Sequence, residues 1–365
     1  MTSFSQKHPP APENWPSVQW SADEAVAAHI VTNEVHFYAG NAVGGERTTK
    51  LRVEGLRGFS LSPGDGPNYT VSIYRPEYKG LPAQIRLYKY PKFEEGEQIA
   101  TKAFFNAESV DFKVRRAPCI FPPRRCMLLS SGAGAQWEGK GRAVLVKSST
   151  AVDKGSKGKF SGSSFYYGSS SLYYLTSDGS FECAVPLEKE GPVQDVAWVP
   201  GNMQFVVLYG FMPAQGTLFD HKCKPLFTYG TGYRNTITWS PSGRYVALCG
   251  FGNLPGDIEF WDRKKGAEGR VGLTKNDATV SAGFSPCSKY FLCASTFPRL
   301  RVQNNYRIWN LDGSLLCSGA PLACLHVCAN GLSDLCTDLS CLFVAFCRGF
   351  FGDGAVPGDL AAGLG

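Results

Sequence analysis

Apolar and polar positions alternate along much of this chain in short runs closed by turn residues. In Ile258-Glu259-Phe260-Trp261-Asp262 the alternation places Ile258 and Phe260 on one face and Glu259 and Trp261 on the other. That is the period-two pattern of a β-strand with a buried and a solvated side. Tyr306-Arg307-Ile308-Trp309-Asn310, Thr217-Leu218-Phe219-Asp220, Ile85-Arg86-Leu87-Tyr88 and Val35-His36-Phe37-Tyr38 are further apolar strands of this kind, ending near an aromatic or an aspartate. Ser177-Asp178-Gly179 and Leu311-Asp312-Gly313 supply the positive-φ positions of tight hairpins.

A second anchor precedes each of these strands. It is an aromatic or leucine, then Ser-Pro or a similar turn, then an apolar strand. Trp239-Ser240-Pro241-Ser242-Gly243 and Phe284-Ser285-Pro286-Cys287-Ser288 are the clearest copies, and Trp20, Leu61, Trp137 and Trp198 open weaker ones. The anchors lie 41 residues apart from Trp20 to Leu61, 41 from Trp198 to Trp239 and 45 from Trp239 to Phe284. This is the period of a WD-type propeller blade, a small sheet that cannot bury its own faces and must stack on its neighbours. The pattern therefore predicts an all-β, WD40-type β-propeller, incomplete, with about six recognisable blades.

Composition agrees with short strands and many turns: 41 glycines and 23 prolines in 365 residues, with 43% apolar content. A formal charge of +6 permits a polyanionic partner without demanding one. The first fourteen residues are polar and proline-rich and lack the apolar core of a secretory signal. No apolar run approaches the ~18–20 residues of a membrane helix. The expectation is a cytoplasmic protein with free thiols and no membrane partner.

Two stretches break the repeat. Leu61 to Trp137 is 76 residues, too long for one blade, and the excess at 115–136 holds four arginines and no acid. It reads either as a basic RNA-binding loop or as an insert with no selected role. From Cys317 the repeat gives way to a tail with six of the thirteen cysteines and a glycine-rich end. The domain plan is thus a disordered 1–13, a propeller over 14–316 interrupted at 115–136, and a disordered Cys/Gly-rich 317–365.

Motifs for chemistry are weak. Gly134 to Gly141 has the glycine and lysine spacing of a phosphate loop, but Gly141 stands where the Mg²⁺-holding Ser or Thr belongs. Cys324-Leu325-His326-Val327-Cys328 lacks a second ligand pair at finger spacing. No H-E-x-x-H or G-x-S-x-G occurs. No catalytic residue, metal site or cofactor is expected. Two stretches have the composition of nucleic-acid contacts. One carries Lys154, Lys157 and Lys159 among aromatics; the other carries Arg299, Arg301 and Arg307 around an Asn-Asn turn.

Several runs resemble the eukaryotic translation initiation factor 2A family, in order and in register. They are Asn33-Glu34-Val35-His36-Phe37, Leu61-Ser62-Pro63-Gly64, Arg86-Leu87-Tyr88, Ser149 to Lys154 and Tyr209-Gly210-Phe211-Met212-Pro213-Ala214. Tyr229 to Asn235, Gly250-Phe251-Gly252-Asn253-Leu254, Pro298 to Val302 and Tyr306 to Trp309 continue the series. The similarity runs from about Asn14 to Leu316 without the insert; the propeller-bearing component of initiation factor 3 is a more distant relative.

The resemblance implies a non-catalytic factor that binds the small ribosomal subunit and helps deliver initiator methionyl-tRNA without GTP. It also implies mRNA and other initiation factors as partners. The family's N-terminal repeats and basic C-terminal extension have no counterpart in the sequence. The residues expected to touch RNA are Arg234, Arg299, Arg301 and Arg307, then Lys154, Lys157 and Lys159. A protein–protein scaffold is the alternative use of the same faces.

Overall fold

The structure is a computed structural model. It describes residues 18–40, 42–43, 45–63, 69–78, 81–93, 98–104, 109–111, 136–149, 170–285, 287–295 and 305–319. The chain divides into two compact units, with the boundary after Val193.

The first unit holds three sheets. One is β1 (Val18–Trp20), β2 (Val26–Val31), β3 (Glu34–Ala39) and β4 (Thr49–Arg52). The next is β5 (Gly58–Leu61), β6 (Thr70–Arg75), β7 (Ala83–Lys89) and β8 (Gln98–Phe104). In the third, β9 (Ser109–Asp111) precedes β10 (Gln136–Trp137), β11 (Ala143–Ser149), β12 (Ser170–Thr176) and β13 (Glu182–Ala184). Here β9 joins as a fifth strand, paired with the far end of β11.

The second unit repeats the plan. Its first sheet is β14 (Val193–Trp198), β15 (Phe205–Tyr209), β16 (Ala214–Phe219) and β17 (Pro225–Gly232). Next come β18 (Thr236–Trp239), β19 (Tyr245–Cys249), β20 (Asp257–Asp262) and β21 (Arg270–Lys275). The last is β22 (Ser281–Phe284), β23 (Tyr290–Ser295), β24 (Asn305–Asn310) and β25 (Leu315–Gly319). A 3₁₀ segment, Arg263–Glu268, joins β20 to β21. In this unit the strands pair antiparallel with their neighbours in sequence, β19 and β20 for example running from Tyr245↔Asp262 to Cys249↔Ile258. These are the blades of a WD40-type β-propeller, six of them among the described residues, so the repeat is read correctly as an incomplete propeller.

Each of the six anchors ends the first strand of its blade. The serine that follows it closes the hairpin. Ser21, Ser62, Ser240 and Ser285 accept the backbone N–H of Val26, Thr70, Tyr245 and Tyr290 at 2.9–3.1 Å. Their own N–H groups donate to the carbonyls of the same four residues. All four serines are buried, so these bonds satisfy groups that water does not reach. In the third blade Glu138 takes this place, accepting from the N–H groups of Lys140 and Arg142.

The blades within each unit pack face to face. Phe37 and Val35 of one blade meet Phe59, Val71 and Ile73 of the next. Trp137 and Val144 pack with Ile85 and Leu87, and the Trp137 indole N–H reaches the Ser60 hydroxyl at 3.1 Å. In the second unit Trp239 and Trp261 pack with Val206, Leu208 and Tyr229, whereas Ile258 and Phe260 pack with Phe291 and Trp309. This corrects the expected solvated side of β20. Trp261 is buried, because an inner blade has a neighbour on both faces.

The interrupting stretch 115–136 lies outside the described residues except for Gln136, which opens β10. Cys317 to Gly319 belong to β25 rather than to the tail; 320–365 and 1–17 lie outside the described residues.

Candidate nucleic-acid interface

An antiparallel four-stranded meander sorts its connections. The links from first to second and from third to fourth strand lie at one end. The link from second to third strand and the passage to the next blade lie at the other. In the second unit the two ends differ in chemistry.

The passage end carries the two described residues among those singled out from sequence, Arg234 and Arg307. Arg234, in the passage from β17 to β18, is only 4% exposed. Its guanidinium binds Glu259 of β20, Nη2 lying 2.6 and 2.7 Å from the two carboxylate oxygens and Nε 3.0 Å from Oε1. Nη1 donates to the Tyr229 carbonyl at 3.1 Å, and the Trp261 indole N–H donates to Glu259 at 3.1 Å. The side chain is therefore spent inside the protein and presents no charge to a ligand. Its ring of neighbours is tight: a Cβ built on Gly232 would lie 2.6 Å from Arg234 Nε.

Arg307, on β24, is half-buried and donates to the Asn276 side chain at 2.9 Å. Asn276 is itself buried and donates to Thr279 at 2.6 Å. Arg307 thus braces the passage between the last two blades. Arg299, Arg301, Lys154, Lys157 and Lys159 lie outside the described residues. Among the described residues, the exposed groups at this end are mostly uncharged: Pro213, Tyr233, Gly252, Asn253 and Pro255, with Lys275 and Asp277 facing each other at 3.9 Å.

The hairpin end is basic. After Asp262 the chain reads Arg-Lys-Lys-Gly, and the loop is held by several bonds. The Asp262 carboxylate accepts the Lys264 N–H at 3.0 Å with one oxygen, and Arg244 Nη2 and Nε at 2.9 and 3.1 Å with the other. Burial works to raise the Asp262 pKa, but the Arg244 guanidinium and the Lys264 N–H outweigh it, and the carboxyl is held below its ordinary value. Arg263 is a strut: its side chain donates to the Gly243 carbonyl at 3.1 Å and to Gln204 of the preceding blade at 2.7 Å. The Gly269 N–H closes the loop onto the Gly266 carbonyl. Lys264 and Lys265 stand out from this frame, exposed.

The equivalent turn of the preceding blade is built alike. Asp220 accepts the N–H groups of Lys222 and Lys224, both at 2.8 Å, and Cys223 between them is buried. His221, Lys222 and Lys224 are exposed. The 3₁₀ segment of one blade packs beside β17, the strand that leaves this turn. Toward the last blade, the Ser242 N–H donates to the Ser288 hydroxyl at 3.2 Å, which brings exposed Lys289 to the same end.

Sequence reasoning did not select Lys222, Lys224, Lys264 or Lys265. The available signal is the position of these charges immediately after the strand-ending Asp220 and Asp262, where the blade pattern puts every such residue on one end. Lys140, the lysine of the phosphate-loop-like spacing, sits on the β10–β11 hairpin. Among the described residues no three His, Cys, Asp or Glu side chains gather as a metal site would require. No described helix is long and apolar enough to cross a membrane.

Residues 128–320 match the model of the family described as "Eukaryotic translation initiation factor eIF2A". The chain is 37% identical over 298 residues to a protein named "Eukaryotic translation initiation factor 2A" from Schizosaccharomyces pombe, covering 82% of this chain and 46% of that one. It is 38% identical over 301 residues to the Drosophila melanogaster protein of the same name, covering 81% and 42%. The chain thus spans about half the length of the curated relatives it matches. A solved structure described as "Crystal structure of the eukaryotic initiation factor" superposes with a TM-score of 0.67 at 32% identity, covering 85% of this chain and 65% of that one.

Proposed function

The chain belongs to the eukaryotic translation initiation factor 2A family, and on that premise we propose that it is a non-catalytic initiation factor that binds the small ribosomal subunit and helps deliver initiator methionyl-tRNA without hydrolysing GTP. The observation that carries this reading is the family match over 128–320, a stretch that includes all three blades of the second unit. Its mechanism is positioning. Stacked blades hold their connecting loops rigid, and the loops grip ribosomal RNA or protein. The factor works in the cytoplasm, alongside mRNA and other initiation factors.

The test is retention of labelled initiator methionyl-tRNA on purified small subunits carrying an AUG-containing mRNA. The chain should raise retention equally with and without GTP. No stimulation by a folded chain overturns the reading. A protein–protein scaffold has one observation in its favour: among the described residues, the passage end of the second unit exposes mostly uncharged groups, with Tyr233 at 52%. A partner bound there would stay bound at high salt and after nuclease treatment.

A further inference from the structure

We infer that the hairpin end of the last three blades is an RNA-backbone docking surface, with Lys222, Lys224, Lys264 and Lys265 as its phosphate contacts. The inference deepens the reading of the chain as a ribosome-binding factor and rests on it for the class of ligand. Three observations carry it.

The first is charge without compensation. The four lysines are exposed and none lies within ion-pair distance of a described carboxylate, although Lys265 is close enough to buried Asp262 to help hold that carboxyl low. Asp220 and Asp262 are turned into their own loops to hold backbone N–H groups. Asp262 is also buried against Arg244. Glu268 on the Lys264–Lys265 loop and Asp312 on the β24–β25 turn are exposed at this end, and two acids against the four lysines and Lys289 leave the surface cationic. Like charges left together on one surface repel, so their assembly calls for an anion.

The second is rigidity. Arg263 ties the loop to Gln204 and Gly243, and the Arg263 N–H donates to the Arg244 carbonyl at 2.9 Å. The Asp220 turn is closed by its own N–H to the Lys224 carbonyl at 3.0 Å. Loops fixed before binding lose little freedom when a ligand arrives. Lysine stems on such loops place point charges along a backbone without reading bases.

The third is the chemistry of the surrounding surface. Ser242 and Asn202 add hydrogen-bonding groups on the neighbouring hairpins, and the loops 200–204, 220–224, 241–244 and 263–269 expose no large apolar side chain; the exposed Leu226 and Leu315 belong to the strands that leave their hairpins, β17 and β25, and not to the turns that carry the lysines. A membrane-binding loop pairs its cations with an inserting apolar residue. A polar, cationic end of this kind suits a hydrated phosphate backbone.

The test uses the full chain and a fluorescent oligouridine, with affinity read by anisotropy at several salt concentrations. Replacing the four lysines with glutamine should weaken binding about tenfold or more at low salt. It should also flatten the log–log salt dependence by about 3, from about 0.7 per lost phosphate contact on a single strand. A control with Arg52, Arg57, Arg75 and Lys275 changed to glutamine removes equal charge from passage ends of the blades and should bind as wild type. Unchanged affinity and slope in a folded quadruple variant overturns the assignment. So does an equal loss in the control, which would make the effect one of net charge. Binding of the wild type to anionic phospholipid vesicles but not to oligouridine also overturns it. If the quadruple variant binds oligouridine normally yet the wild type co-sediments with small subunits, this surface fails while the factor reading stands. If wild-type RNA binding depends on the four lysines but the chain does not co-sediment with small subunits, the surface stands and the factor reading fails.

Discussion

Arg234 reaches across 25 residues of sequence to clasp Glu259, with both carboxylate oxygens within 2.7 Å of Nη2. One partner lies in the passage between two blades, and the other on the third strand of the second blade. The pair sits under Trp261 and beside the Tyr229 carbonyl, with side-chain exposures of 5% and 12%. Removing the acid strands a buried guanidinium. Glu259→Ala should therefore cost about 3–5 kcal/mol in urea unfolding. Arg234→Lys should also destabilise, because ammonium cannot reproduce the two-pronged contact. RNA affinity of the folded Arg234→Lys protein should match wild type, since the guanidinium faces inward. A selective loss of RNA binding at unchanged stability would restore Arg234 as a ligand contact.

Two glycines separate space from backbone conformation. A Cβ on Gly250 would lie 1.9 Å from the Tyr233 carbonyl oxygen, so Gly250→Ala must push two backbone segments apart. A loss of about 3 kcal/mol is expected. Gly201, with φ of +72°, has nothing within 4 Å of a built Cβ. Gly201→Ala should cost only the left-handed conformation, about 1 kcal/mol. Thermal unfolding of the two variants side by side checks the ranking.

Thiol reactivity should follow burial. Burial pushes the Cys293 thiol up to about 12 and the Cys249 thiol well above its ordinary value. The thiolate is the reacting form. At about pH 8, iodoacetamide should modify half-buried Cys183, Cys287 and Cys317 in the native protein and reach Cys249 and Cys293 only on unfolding. Peptide mass spectrometry gives the order; rapid native labelling of Cys249 would contradict the packing of blades five and six.

His29 should make stability fall in mild acid. Burial first, then the neighbouring His36, lowers its pKa below the ordinary value. The rings are 5.7 Å apart, edge to face. The unfolded chain therefore takes up its proton first as pH drops. Unfolding free energy should decline from about pH 7 toward about pH 5, and His29→Gln should flatten that slope. An unchanged slope would assign the acid sensitivity to another group.

The blade pattern was legible because its signals are local. Trp239 fills the layer between blades, and Ser240 one residue later closes the hairpin, so both functions sit in one short string. Phe284 and Ser285 repeat it. Glu138 at the same turn was harder to read, since a carboxylate there does a serine's work with different atoms. The orientation of Trp261 needed a fact no strand contains, that a second blade covers its outer face. The role of Arg234 needed a distant partner: nothing within its own loop indicates Glu259. The basic end was in principle readable from the alternation of hairpins, but a single stretch such as Arg263-Lys264-Lys265 looks like any solvated turn. Only its alignment with Lys222 and Lys224 on the neighbouring blade gives it a direction.

The most direct measurement is sedimentation of the full chain with purified small ribosomal subunits through a sucrose cushion, at rising salt and with or without nuclease. The account predicts that the chain pellets with the subunits at low salt, is released progressively as salt rises, and is released by nuclease. A folded chain that stays in the supernatant at low salt, or whose binding ignores both salt and nuclease, would contradict it.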